Sequence, residues 1–170
     1  KGEHILHTAH RTSTTHAAWE RLLNLVTKAK LKIKSTYRAY GKEHIELEGG
    51  GKIEFRTRTA KGGLGEGFDL LIIDEAQEYT DDQESALKYV VSDSSNPQTI
   101  YCGTPPTPVS SGTVFTKLRK NTLSGGTVNT GWAEWSVEKK TDPKDKEAWY
   151  RTNPSLGTIL TERKILDEIG

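Results

Sequence analysis

The sequence predicts an α/β domain built around a largely parallel β-sheet, and three features carry that expectation. Short strand-like runs alternate with amphipathic helical stretches along the chain, the pattern of βαβ units. The run Asp69–Ile73 (DLLII) is continuously aliphatic after its first residue instead of alternating, which marks a strand covered on both faces. The stretch from Asp74 to Thr104 is long enough for one helix and a return, as a parallel crossover requires.

Taken in order, His4–Ala9 (HILHTA) reads as a short strand. The following segment places Ala18, Trp19, Leu22, Leu23, Val26 and Ala29 on one helical face, with Ser13, Thr14 or Thr15 available to cap its amino end. Ile45–Leu47 and Ile53–Thr57 alternate apolar and polar residues around three glycines and predict a β-hairpin, an insertion or edge of the sheet. A glycine-rich loop, AKGGLGEG, leads into Asp69–Ile73. Asp81 with Glu84 resembles a capping box for a helix carrying Ala86, Leu87, Val90 and Val91. QTIYCGT is the next strand, SGTVFTKLRKN a short helix, and GTVNTGWAEWSV a further strand. The polar, proline-punctuated segment from Lys139 reads as connector, and TERKILDEIG as a helix under way.

Bulk properties narrow the function classes. With 170 residues and 33% hydrophobic content, the chain suits one core. No run approaches the ~18 apolar residues of a membrane span, and the first residues show no apolar segment of a secretory signal. The single cysteine, Cys102, excludes an internal disulfide framework and a cysteine-based zinc site, which fits a reducing compartment. A formal net charge of +1 leaves any nucleic-acid contact to local patches. Both ends of the chain read as cut from something longer.

The most informative stretch is Leu70–Gln83, LLIIDEAQEYTDDQ. In parallel α/β sheets, ligands collect beyond the carboxyl ends of the strands, and Asp74 and Glu75 stand at that end of the most apolar strand. Four apolar residues followed by Asp-Glu form a Walker B strand ending. There the Asp holds Mg²⁺ through its hydration shell and the Glu polarises the water that attacks the γ-phosphate. In an extended chain neighbouring residues point opposite ways, so one carboxylate can serve the metal and the other the nucleophile. A solvated strand terminus is the alternative for this motif alone. On the next strand, Gly103 and Thr104 could sense the phosphate and report to Glu75; a tight turn before Pro105 and Pro106 is the competing reading.

HILHTAHR, LLIIDEAQ, TIYCGTPP and the later Trp149 and NPSLG, in that order and followed by a helix, resemble the ATPase domain of tailed-phage terminase large subunits, the DNA-packaging motors. The resemblance implies an additional-strand P-loop NTPase fold of the RecA/helicase-like kind. It implies Asp74 as the Mg²⁺ ligand, Glu75 as the catalytic residue and Cys102, Gly103 and Thr104 as the coupling motif. It further implies ATP and Mg²⁺ as cofactors of the full-length protein, with none expected on this segment. The implied partners are double-stranded DNA, the portal protein, the small terminase subunit and other copies in a homo-oligomeric ring, without membrane. The implied place is the host cytoplasm at the procapsid portal. By the same resemblance, residues 1–138 are a partial ATPase domain, truncated at its N-terminal side, and 139–170 a connector and helical segment leading towards a nuclease domain.

The sequence also departs from the pattern. No G-x-x-x-x-G-K-[ST] phosphate loop (Walker A) is present, because AKGGLGEG precedes a strand and lacks the Lys-Ser/Thr pair. This chain alone is therefore expected to be inactive. Where many relatives carry a basic finger residue, Glu66 stands; Lys61, Arg58 and Arg119 are alternatives and none is assigned. Asp-Glu-Ala-Gln also resembles a helicase motif, so a helicase-type ATPase is an alternative, and a non-catalytic interaction domain of the same fold is another.

The remaining features have bland readings beside the functional ones. Lys28, Lys30, Lys32 and Lys34 recur with period two, a phosphate-contacting stripe or, the favoured reading, protection of an exposed edge strand. His10 and Arg11 are candidate nucleic-acid contacts or simply a polar loop. His4, His7, His10 and His16 lack convergent carboxylates at metal-ligand spacing. Trp132, Trp135 and Trp149 read as packing anchors.

Overall fold

The computed structural model describes residues 2–58 and 65–169. The chain divides into two compact units, Lys1–Ser124 and Gly125–Gly170. No described helix is long and apolar enough to cross a membrane.

The first unit is a mixed α/β structure. Its strands are β1 (His4–Ala9), β2 (Ile33–Tyr37), β3 (Glu43–Leu47), β4 (Lys52–Thr57), β5 (Leu70–Ile73) and β6 (Gln98–Tyr101). They form one sheet in the order β2-β3-β4-β1-β5-β6. Strands β4, β1, β5 and β6 run parallel, while β3 is antiparallel to both β4 and β2. The hairpin expected around the three glycines is β3–β4, and it joins the parallel part through β4 beside β1. The aliphatic strand β5 is flanked on both sides but lies next to the last strand. The middle of the sheet is β4–β1, because the hairpin and its extra strand extend the far side.

Helix α1 (Thr12–Lys28) covers one face, where Trp19 packs with Ile45 and Phe55. The other face buries Leu6, Leu71 and Ile73 against Phe68, Tyr79, Leu87, Val90, Val91 and Val114. Phe68 lies just before β5; the others come from the segment around α2 (Asp81–Leu87) and from α3 (Val114–Leu123). Burying one such side chain is worth about 1.5–3 kcal/mol. On strand β5 Leu71 and Ile73 are buried, whereas Leu70 and Ile72 on the opposite face are only partly buried, so the expected full cover of both faces is not met.

Several local expectations change. None of Ser13, Thr14 and Thr15 caps α1. The helix starts at Thr12 with Arg11 at the cap position and no side-chain cap, and the Thr15 hydroxyl bonds back to the Thr12 carbonyl. The capping box of α2 is Thr80 with Gln83, one residue ahead of Asp81 and Glu84. The lysine stripe does not form: Lys28 ends α1 and Lys30 sits in a left-handed turn (φ 56°), so only Lys34 lies on a strand. That strand, β2, is an exposed edge, and its Lys34 pairs with Glu46 at 2.7 Å. Most of the glycine-rich loop, with Lys61, lies outside the described residues.

In the second unit the expected strand around Trp132 and Trp135 has no regular structure, and Trp135 is exposed. Trp149 alone of the three is a buried anchor; its indole donates to the Pro143 carbonyl. The segment read as connector contains α4 (Lys146–Thr152), whose first turn is capped by the Asp145 carboxylate on the amides of Glu147 and Ala148. Helix α5 (Glu162–Ile169) ends the unit.

Candidate functional site

Parallel pairing of β1, β5 and β6 brings their carboxyl ends to one edge of the sheet. The ladder continues past the strands: the Asp74 amide donates to the Thr8 carbonyl (2.8 Å), Cys102 to Ile73 (2.9 Å) and Ala76 to Cys102 (2.9 Å). Residues 10–11, 74–75 and 102–104 therefore emerge side by side.

The backbone does not stay extended at the acidic pair. Glu75 takes a left-handed conformation (φ 52°, ψ 48°) and a 3-10 turn, Ala76–Glu78, follows at once. The carboxylates separate because the chain turns there, not by strand alternation. Such a conformation costs a non-glycine residue on the order of 1–3 kcal/mol and persists only where the surroundings impose it. Asp74 helps to impose it by accepting the Glu75 amide on Oδ1 (2.9 Å).

The two carboxylates meet different neighbours. Asp74 is partly exposed, with Oδ2 at 3.4 Å from Nε2 of the buried His7. Burial lowers the His7 pKa although Asp74 works against it, so the imidazole at neutral pH is an uncharged neighbour. The Glu75 carboxylate lies over the amino end of α1. Its Oε2 accepts the His10 amide (2.9 Å) and the Arg11 amide (3.3 Å), and its Oε1 accepts the Thr14 hydroxyl (3.1 Å). A carboxylate from a neighbouring strand thus takes the place of the cap that α1 lacks, where the helix dipole favours negative charge.

The strip after β6 closes on the same turn. The Gln77 side chain accepts the Thr104 amide at 3.3 Å. A Cβ on Gly103 would stand 2.8 Å from Gln77 Oε1 and 3.1 Å from the Ala76 nitrogen, so the two segments approach closely here and a larger residue would require the Gln77 side chain to move. Burial, with Asp74 adding to it, raises the Cys102 thiol pKa. Glu78 accepts the Ser111 amide (3.0 Å) and hydroxyl (2.9 Å), which holds its carboxyl below the usual range.

Arg58, one of the cations to which the sequence assigns no role, sits directly beneath this turn. Only 5% of it is exposed. Its guanidinium donates to the carbonyls of Thr8 (3.1 Å), Asp74 and Glu75 (3.0 Å) and lies over the Tyr79 ring. A lone arginine after a strand carries no sequence signal for such a position.

The histidines also find carboxylates that their spacing could not reveal. His16 Nδ1 meets the fully buried Glu43 at 2.9 Å, and His4 meets Glu54 at 3.2 Å. His4, Glu54 and Glu66 place ligand atoms within 4.8 Å of one another, at the opposite end of β1 from Asp74. Glu54 is already bonded to Lys52 and Arg56, and a divalent ion would have to displace both. His10 and Arg11 are exposed, while their amides are committed to Glu75.

No protein-family model matches the sequence, and no curated protein matches it. Among solved structures, the chain is similar to the large terminase of bacteriophage HK97, with a TM-score of 0.77 and 19% identity over 99% of this chain and 36% of that one. It is also similar to the large terminase of a thermophilic bacteriophage, with a TM-score of 0.54 and 12% identity over 74% of this chain and 31% of that one. The fold is that of the corresponding part of these terminases, a mixed α/β domain. The chain spans about a third of their length.

Proposed function

We propose that these residues belong to the ATPase of a phage terminase large subunit, which hydrolyses ATP to drive double-stranded DNA into a capsid. The observation that carries this reading is the Asp74–Glu75 pair at the carboxyl end of a parallel strand, in a fold shared with two terminases. Carboxylate oxygens suit Mg²⁺, and Asp74 keeps exposed oxygen capacity for a hydrated ion beyond its bond to the Glu75 amide. Bound Mg²⁺ would neutralise charge on the phosphates.

Glu75 is the residue that orients and polarises the attacking water. In the arrangement seen here its carboxylate is satisfied by the amides of His10 and Arg11 and the hydroxyl of Thr14, so it must rotate away from them to act. Cys102, Gly103 and Thr104 report on the nucleotide through Gln77, which joins Thr104 to the turn after Glu75. His10 and Arg11 supply a DNA-backbone contact next to the same turn. The portal protein, the small terminase subunit and further copies of the chain in a ring are the proposed partners, in the host cytoplasm.

The 170 residues contain no phosphate loop, and in this fold class that loop makes most phosphate contacts. The segment alone should neither bind ATP tightly nor hydrolyse it. Calorimetric titration with Mg²⁺ and ATP, beside a phosphate-release assay, is expected to give neither micromolar binding nor turnover. In the full protein, Asp74→Asn should abolish Mg²⁺-dependent hydrolysis. Turnover by the segment that Glu75→Gln removes would show a phosphate site within these residues and refute the proposed division of labour.

A further inference from the structure

A buried guanidinium is expensive to desolvate unless its donors are used. Arg58 uses its two terminal nitrogens on main-chain carbonyls, while its Nε is buried without a partner; among the described residues no carboxylate lies within ion-pair distance of it. Its three acceptors are not a random set. Thr8 belongs to the neighbouring strand β1, and the Asp74 and Glu75 carbonyls belong to the two peptide planes that flank the Glu75 Cα. Fixing both planes fixes φ and ψ of Glu75, and with them the direction in which its side chain leaves the backbone. The Thr8 bond ties this arrangement to the end of β1, from which His10 and Arg11 follow. Tyr79, buried against the guanidinium, sets the depth at which the fork sits.

We propose that Arg58 is the positioning residue of the Asp74–Glu75 pair, holding the left-handed turn that aims Glu75, and that it does so within its own chain and not across a subunit interface. This rests on the reading of Glu75 given above. It follows that Arg58 is not the basic residue that a neighbouring subunit would offer to this site, because it is buried and both its terminal nitrogens donate to its own backbone. Lysine cannot replace it, since an ammonium has no fork to span two peptide planes and a third carbonyl.

The test compares wild type, Arg58→Lys, Arg58→Met and Glu75→Gln in the full protein. Arg58→Lys keeps the charge and serves if Arg58→Met does not fold. It is expected to lower kcat by about 10²-fold, the usual cost of a small misplacement, with the nucleotide KM within about threefold of wild type. Amide exchange across Glu75–Gln77 should quicken by about tenfold in the same variant, because the turn opens more often. Mixing Arg58→Lys with Glu75→Gln subunits should restore no hydrolysis. Restored hydrolysis in the mixture would mean that Arg58 acts across subunits and would overturn the proposal. So would a folded Arg58→Lys protein with wild-type kcat and wild-type exchange. If Glu75→Gln itself hydrolyses ATP normally, the reading of Glu75 is what fails; the exchange rates then still decide whether Arg58 holds the turn.

Discussion

Glu75 shows how much a single position can depend on its neighbours. Its left-handed backbone is unfavourable by itself, and the Asp74 carboxylate, the Arg58 fork and the α1 donors together over-determine it. The same turn explains a glycine some distance along the chain. A Cβ on Gly112 would lie 2.5 Å from both the Gln77 carbonyl oxygen and the Tyr79 nitrogen. Those are backbone atoms of the turn and cannot swing aside, unlike the Gln77 side chain that faces Gly103. Gly112→Ala should therefore destabilise by about 1–3 kcal/mol, as overpacking does. Gly131→Ala, with no atom within 4 Å of the added carbon, should stay within about 0.5 kcal/mol. Urea unfolding of the two variants checks this, and equal stabilities would show that the close approach at Gly112 is not a constraint.

At the scale of elements, β1, β4, β5 and α1 are legible because their apolar patterns match the way they pack, whereas β2, an exposed edge strand, carries no core-facing pattern to mark it. The helix ends are not, because caps depend on which acceptor is nearest in space. For α1 that acceptor is Glu75, far away in sequence. The strand expected at Trp132 fails for a related reason: alternating residues specify a strand only if a neighbouring strand is there to pair with. The acidic pair is legible as a strand ending, whereas Arg58 and the histidine–carboxylate contacts arise only from register. One such cluster has a measurable consequence. Burial pushes the Glu54 carboxyl up, but hydrogen bonds from Lys52, Arg56 and His4 prevail and hold it at about 2. A carboxyl depressed on folding contributes stability above its ordinary value near 4.5, and that contribution is lost as the pH falls through the folded value. The melting-temperature gap between wild type and Glu54→Gln should be widest above pH 4.5 and narrow steadily towards pH 2. A gap that does not change over this range would contradict the ion cluster on β4.

For the whole molecule, the parallel half of the sheet does two things at once. It buries Leu71 and Ile73 of β5 in the core, and it delivers the ends of three strands to one edge where acidic, amide and hydroxyl groups meet. The outer side of β6 has no partner strand among the described residues, and Thr99 and Ile100 are exposed there. That side is open to a further strand. Under the proposed function, water would be activated by Glu75 once its carboxylate leaves the amino end of α1. The most direct measurement is ATP turnover and nucleotide affinity of Glu75→Gln in the full protein. The expected result is a kcat lower by about 10²–10⁴-fold, as for loss of a general base, with nucleotide affinity close to wild type because the amide keeps the shape of the carboxylate. Turnover within a few-fold of wild type would contradict the assignment of Glu75 and with it the hydrolytic role of this end of the sheet.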